Sequence, residues 1–280
     1  ENDFFNRYPF IDVPTHNESI YDKVNNTFAK RINFVAEQCE RVCDVTSMVL
    51  RQQHFPLVIS GDHSSALGTL AGITHAHPGK TVAAIWIDAH ADLHTPLSSP
   101  SGNIHGMPLA AALGLDNEKY GVNTIDEATK KSWDQIKALG GGQPKIKPEH
   151  LLYFGLRSTE EAEDNVIEDL GIRTYAVHEI RYRSMAVCLQ EAIESLKEVD
   201  LIYITFDVDS MDCDLISKGT GTPVSKGFDP AEIKQLIQGF ISTDKVVCLE
   251  VCEINPLLDE KGNKMAETAF EIVNEIFGYC

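Results

Sequence analysis

Residues 81–92 read TVAAIWIDAHAD, an apolar and partly β-branched run that stops abruptly at Asp88, His90 and Asp92. In extended backbone successive side chains point to opposite faces, so these three alternate positions share one face. Two carboxylates held side by side repel, and burial raises the cost because each ion loses its water. A D-x-H-x-D triplet also recurs by chance. The rest of the chain must therefore decide between a solvated strand end and a metal site.

Similar apolar runs lie at 57–60 (LVIS), 151–155 (LLYFG), 172–177 (IRTYAV), 201–206 (LIYITF) and 246–251 (VVCLEV). They are continuous rather than alternating, as expected of parallel strands covered on both faces. Helix-like stretches separate them. The longest, 25–53, carries Phe28, Ile32, Val35, Cys39, Val42, Val45 and Val49 at helical spacing. Others fall near 65–76, 160–170, 186–198, 229–240 and 265–277. The alternation predicts an α/β fold, with residues 1–280 forming a single domain around one open, mostly parallel sheet with helices on both faces. No internal repeat is visible. The polar segment 116–148, which contains GGGQPKIKP, reads as a surface excursion.

The 280 residues hold 24 Lys and Arg against 42 Asp and Glu, a formal charge of −18. Such a surface repels phosphate backbones and argues against nucleic-acid binding, while mildly favouring a small cationic substrate. No uninterrupted apolar run approaches the roughly 18 residues of a membrane span, so no membrane partner is expected. The first residues, ENDFFNRYPF, lack the basic-then-apolar order of a secretory signal. The seven cysteines are an odd number, and several lie in apolar stretches, where Cys is usually a small core residue. Reduced thiols and a cytoplasmic setting are expected.

Open parallel sheets bind ligands beyond the carboxyl ends of their strands. LVIS is followed by Gly61-Asp62-His63-Ser64, VAAIWI by Asp88, His90 and Asp92, LIYITF by Asp207 and Asp209, and VVCLEVC by Glu253. One acidic strand end is commonplace, but four aimed at one rim are not. His63, Asp88, His90, Asp92, Asp207 and Asp209 make six candidate ligands. That is too many for one ion and suits two, with carboxylates bridging. Carboxylate and imidazole without thiolate favour harder divalent ions, Mn²⁺ before Zn²⁺.

GDHS, DAHAD, SGNIHG, FDVDSMD, GTGTP and EINP, in this order, resemble the ureohydrolase family, and within it most closely the arginases. The likeness runs from about residue 8 to the end. It implies the three-layer arginase/deacetylase-like sandwich and hydrolysis of L-arginine to L-ornithine and urea by water activated between two Mn²⁺ ions. One metal would take His63, Asp88, Asp92 and Asp207, and the other Asp88, His90, Asp207 and Asp209. Glu253 would pair with the guanidinium, Asp92 would pass a proton to the leaving nitrogen, and His105 would shuttle protons to solvent. Thr222 would lie beside the guanidinium pocket, Ser101 and Asn103 would hold the α-carboxylate, and Glu160 and Glu163 would face the α-ammonium. The last two also open a helix, where acids are favoured by the helix dipole alone. The family further implies a homo-oligomer, a trimer or hexamer.

The chain departs from the family pattern at several points. Ser60 replaces the usual first Gly of GGDHS, which is tolerable if its φ is negative. His94 stands where arginases usually carry an Asn that touches the carboxylate, and Glu160 replaces an Asp. Cys213 lies where Pro is usual. The family's usual first strand and helix have no counterpart in these residues, either because this form lost them or because the sequence is a fragment, and an exposed strand edge is expected. Alternatives are a ureohydrolase acting on agmatine, a guanidino acid or formiminoglutamate, and a metal-binding non-catalytic homologue.

Overall fold

The computed structural model of the protein describes residues 4–24, 26–141 and 144–278. Six parallel strands are present among the described residues: β1 (Leu57–Ile59), β2 (Val82–Ile87), β3 (Leu151–Phe154), β4 (Arg173–Tyr175), β5 (Leu201–Asp207) and β6 (Val246–Cys252). They form a single sheet in the order β1-β6-β5-β2-β3-β4. The register pairs Ile87 with Phe206 and Phe154, and Asp207 with Cys252, so the carboxyl ends of the central strands finish level.

Alternation along β2 explains the layers. Ala83, Ile85 and Ile87 face a core built with the helices Val177–Arg183, Met185–Ser195, Pro230–Ile241 and Lys264–Phe277. Val82, Ala84 and Trp86 face the opposite core, which includes residues of Ile32–Arg51, Ser65–Ala76, Pro108–Leu113, Glu127–Lys137 and Glu161–Leu170. Every residue of β2 is buried. This double coverage is why the strand runs are continuously apolar. Six described cysteines are free and buried, and Cys280 lies outside the described residues.

Three boundaries differ from those expected. The long helix begins at Ile32 because Arg31 sits in the left-handed region (φ 57°), and residues 26–30 form turns before it. Residue 25, where the helix was expected to start, lies outside the described residues. The run at 172–177 yields only the edge strand Arg173–Tyr175, with a helix starting at Val177. Within 116–148, a helix caps itself through Asp126 and buries Trp133 and Ile136, so the segment contributes to the core as well as to the surface. Ser60 does not adopt a positive φ, which meets the condition set for replacing Gly there. β1 lies at an edge of the sheet, with Ile59 exposed.

Candidate metal centre

The ends of β1, β2, β5 and β6 are consecutive neighbours in space, and their following residues converge. His63, on the loop between β1 and the helix at Ser65, is buried with its ring stacked on Trp86 at 4.2 Å between centroids. Its Nε2 lies 2.8 Å from Thr205 Oγ1. Its Nδ1 has no hydrogen-bond partner, yet stands 2.9 Å from oxygens of Asp88 and Asp92 and 3.3 Å from Asp207. With Nε2–H donating to Thr205, the Nδ1 lone pair faces three carboxylates. A divalent cation between them satisfies that arrangement with the ring left neutral.

A second group adjoins the first. His90 Nδ1 is 3.0 Å from Asp209 Oδ2 and 3.6 Å from Asp88 Oδ1. His63, Asp88 and Asp92 thus form one liganding triad, and Asp88, His90 and Asp209 form another. Asp88 belongs to both, and its oxygens diverge: Oδ2 accepts from Trp86 Nε1 at 3.0 Å, and Oδ1 accepts from the His90 amide at 2.7 Å. Asp207 lies beside the first triad and accepts the Asp209 amide at 2.8 Å.

The electrostatics of the bare cluster show the same conflict. Burial, then the neighbouring Asp88, pushes the Asp92 carboxyl up to about 7. Burial disfavours charge on His90, but Asp209 and Asp88 outweigh it and push the imidazole up to about 12. Cys252 lies within liganding distance of His63 and Asp207, but burial raises its thiol well above the ordinary range and keeps it protonated. The remaining donors, carboxylates and imidazoles, fit hard divalent ions.

Of the other expected residues, Glu253, His105 and Thr222 are tied to this centre by hydrogen bonds, whereas the contacts of Ser101, Asn103, His94 and Glu160 lie in the neighbouring loops. Glu253, at φ 63°, accepts the His63 amide at 2.9 Å through Oε1, and His105 Nδ1 approaches the same oxygen at 3.4 Å. Thr222 donates to Asp209 Oδ2 at 2.9 Å. Ser101 Oγ accepts the Asn103 amide at 3.1 Å, so those two residues share one turn. His94 is buried, with Nδ1 3.2 Å from Ser98 Oγ and Nε2 3.2 Å from Glu160 Oε2 and 3.7 Å from Glu163 Oε2. The Glu163 oxygens both accept backbone amides, from Leu93 and Glu160, so this acid also straps two loops together.

Four supporting residues carried no sequence signal that singled them out. Thr205 orients His63 from within an apolar strand. Glu250, fully buried, accepts from Ser60, Ser65 and Tyr203 and thereby ties the His63 loop to the sheet. Arg157 donates to the carbonyls of Gly155, Asp209, Met211, Val224 and Ser225. Lys30 Nζ reaches Asn103 Oδ1 at 3.3 Å. Their polar atoms meet partners remote in sequence, which residue type alone does not reveal.

This arrangement, a three-layer α/β sandwich with an acid-and-imidazole cluster at its strand ends, defines a dinuclear metallohydrolase-like class. A model of the arginase family matches residues 6–278. An arginase of Bacillus caldovelox is 35% identical over 95% of this chain and 83% of its own length. Arginase-1 of Sus scrofa is 30% identical, covering 96% of this chain and 78% of its own. The crystal structure of a Bacillus subtilis arginase superposes with a TM-score of 0.81 at 35% identity, over 95% of this chain and 83% of that one. A formimidoylglutamase from the same species, at 18% identity and a TM-score of 0.68, shares the fold. The chain belongs to the arginase family.

Proposed function

We propose that the protein hydrolyses the guanidinium group of L-arginine to L-ornithine and urea, holding two Mn²⁺ ions per chain. The observation that carries this reading is the pair of liganding triads sharing Asp88, beside the largely buried Glu253 carboxylate. His63, Asp88, Asp92 and Asp207 would hold one ion, and Asp88, His90, Asp207 and Asp209 the other. When bound, such ions supply Lewis acidity and lower the pKa of water so that it is nucleophilic near neutral pH.

The chain's own residues do the rest. Glu253 is fixed by the His63 amide and by His105, so its carboxylate can clamp a planar guanidinium in one orientation. Thr222 holds the Asp209 carboxylate through a hydrogen bond beside the guanidinium pocket. Asp92 takes up the proton released by the attacking water and passes it to the departing nitrogen. His105 is half-buried and joins the Glu253 carboxylate to solvent, as a proton relay requires. Ser101 and Asn103 receive the α-carboxylate. Glu160 and Glu163 lie on the side of the α-ammonium. We further propose a cytoplasmic homo-oligomer, a trimer or hexamer, as the working form.

One observation favours a second reading within the family. His94 Nε2 faces Glu160 and Glu163, the acids assigned to the α-ammonium. An acid pair already engaged by an imidazole accepts an ammonium less well, which favours a guanidino acid without that group. The deciding experiment loads the protein with Mn²⁺ and measures urea release from arginine, agmatine and 4-guanidinobutyrate in parallel. Arginine is expected to exceed agmatine by at least ~100-fold in kcat/KM, because a site built for a carboxylate leaves its donors unpaired with agmatine. Equal turnover of the two would remove the carboxylate-pocket assignment. Preference for guanidinobutyrate would select the second reading.

A further inference from the structure

We infer that Lys30 is the cationic arm of the site's carboxylate subsite and a determinant of substrate selectivity. The inference rests on the guanidino-substrate reading above and adds a residue to it from a distant part of the chain.

The first observation is how the segment is docked. Lys30 N donates to Gly102 O at 2.8 Å. Gly102 adopts φ 72°, and a Cβ built there would stand 2.1 Å from Thr27 O and 2.8 Å from the Phe28 Cα. Backbone therefore presses on backbone, and only Gly permits the approach. Asn26 adds a bond from its amide to Thr129 Oγ1 at 2.7 Å, and Ala29 is fully buried. Residues 26–30 are thus clamped against the 101–103 turn, and the Lys30 side chain has a fixed root.

The second observation is what the ammonium does. Nζ lies 3.3 Å from Asn103 Oδ1. No described carboxylate lies within ion-pair distance of Lys30, in a chain with 42 acids and 24 basic residues. An ammonium has three donors, of which the contact uses one. The bond also sets the Asn103 amide. With Oδ1 turned to Lys30, the Nδ2–H₂ end points away and is available to donate. Two residues later stands His105, which reaches the Glu253 carboxylate at 3.4 Å. A guanidino substrate clamped at Glu253 and extended along this loop brings its far end to a group of donors: Ser101 Oγ, Asn103 Nδ2 and the Lys30 ammonium. Donors of that kind, one of them charged, fit a carboxylate and reject a neutral or cationic tail.

The test compares wild type with Lys30→Gln, which removes the charge from an unbranched polar side chain, and Lys30→Arg, which keeps the charge. Arginine and agmatine differ by the carboxylate, so the ratio of their kcat/KM values isolates the subsite. Lys30→Gln is expected to lower that ratio about 10-fold, through KM for arginine more than through kcat, whereas Lys30→Arg retains most of it. A ratio unmoved by Lys30→Gln, or an equal loss with both variants, overturns the inference. Calorimetric binding of 4-guanidinobutyrate against n-butylguanidine to the Mn²⁺-loaded protein separates this from the catalytic reading. If wild type releases no urea, the hydrolase reading fails. Lys30 is then judged by binding alone: Lys30→Gln must weaken the carboxylate-bearing ligand selectively, and equal binding by both proteins refutes it.

Discussion

The liganding residues are legible one by one because their chemistry is scarce: an apolar run rarely ends in Asp-x-His-x-Asp, and this one chain carries four strand ends of acidic or imidazole character. What decides how each acts is not legible in the same way. His63 works through Nδ1 only because Thr205 takes Nε2, and a single hydroxyl inside LIYITF looks like any β-branched strand residue. The same holds for His105, whose ordinary pKa is raised first by its bond to Glu253, against burial. Glu253→Gln should therefore return the His105 titration toward 6.5, read by NMR of the ring protons. Its sign carries over to stability. The raised His105 value means that the pair's contribution is full below the unfolded pKa near 6.5 and is lost as pH rises through the folded value. A His105 titration indifferent to Glu253→Gln would show that the 3.4 Å approach carries no interaction.

At the scale of elements, strand positions are the most readable feature and connections the least. A strand buried on both faces announces itself as VAAIWI, and the helix at 65–76 has the bounds its sequence predicts. Loops take their shape from distant partners. The long helix stops short of its apolar pattern because residues 26–31 are recruited by the 101–103 turn, about 70 positions onward. Arg157, just past the carboxyl end of β3, is the same case. Its half-buried guanidinium binds five carbonyls and faces no described carboxylate at bonding distance. Arg157→Met removes a donor from each of those oxygens, of which Val224 O keeps the Cys213 amide at 3.4 Å. It should cost ~3 kcal/mol or more in denaturant unfolding. The ion at Asp88, His90 and Asp209 should loosen before the ion at His63, because Asp209 O is one of the five. Unfolding and elemental analysis together check this, and wild-type stability with two retained ions would dismiss the role.

For the whole molecule, the cluster is a destabilising core feature unless it is occupied. Asp88, Asp92, Asp207 and Asp209 are all at most 6% exposed. Like charges of that burial repel strongly at low effective dielectric. Chelation should therefore lower the melting temperature, and Mn²⁺ at about 100 times its Kd should restore ~2.7 kcal/mol. Identical melting with and without chelator would mean that the cluster holds no ion. The strand order has a further consequence, for how the chain is made. β1, β6, β5 and β2 lie side by side, yet they span residues 57–252 in sequence, and the groups that follow them meet only when all three parallel pairings exist. Such pairings are long-range and slow to form. No partly folded chain presents the full set of donors in place: all six precede β6 in sequence, yet the His63 loop meets the others only once β6 joins β1 to β5. Metal capture is thus a late event in folding, and it rewards only a sheet assembled in the correct order.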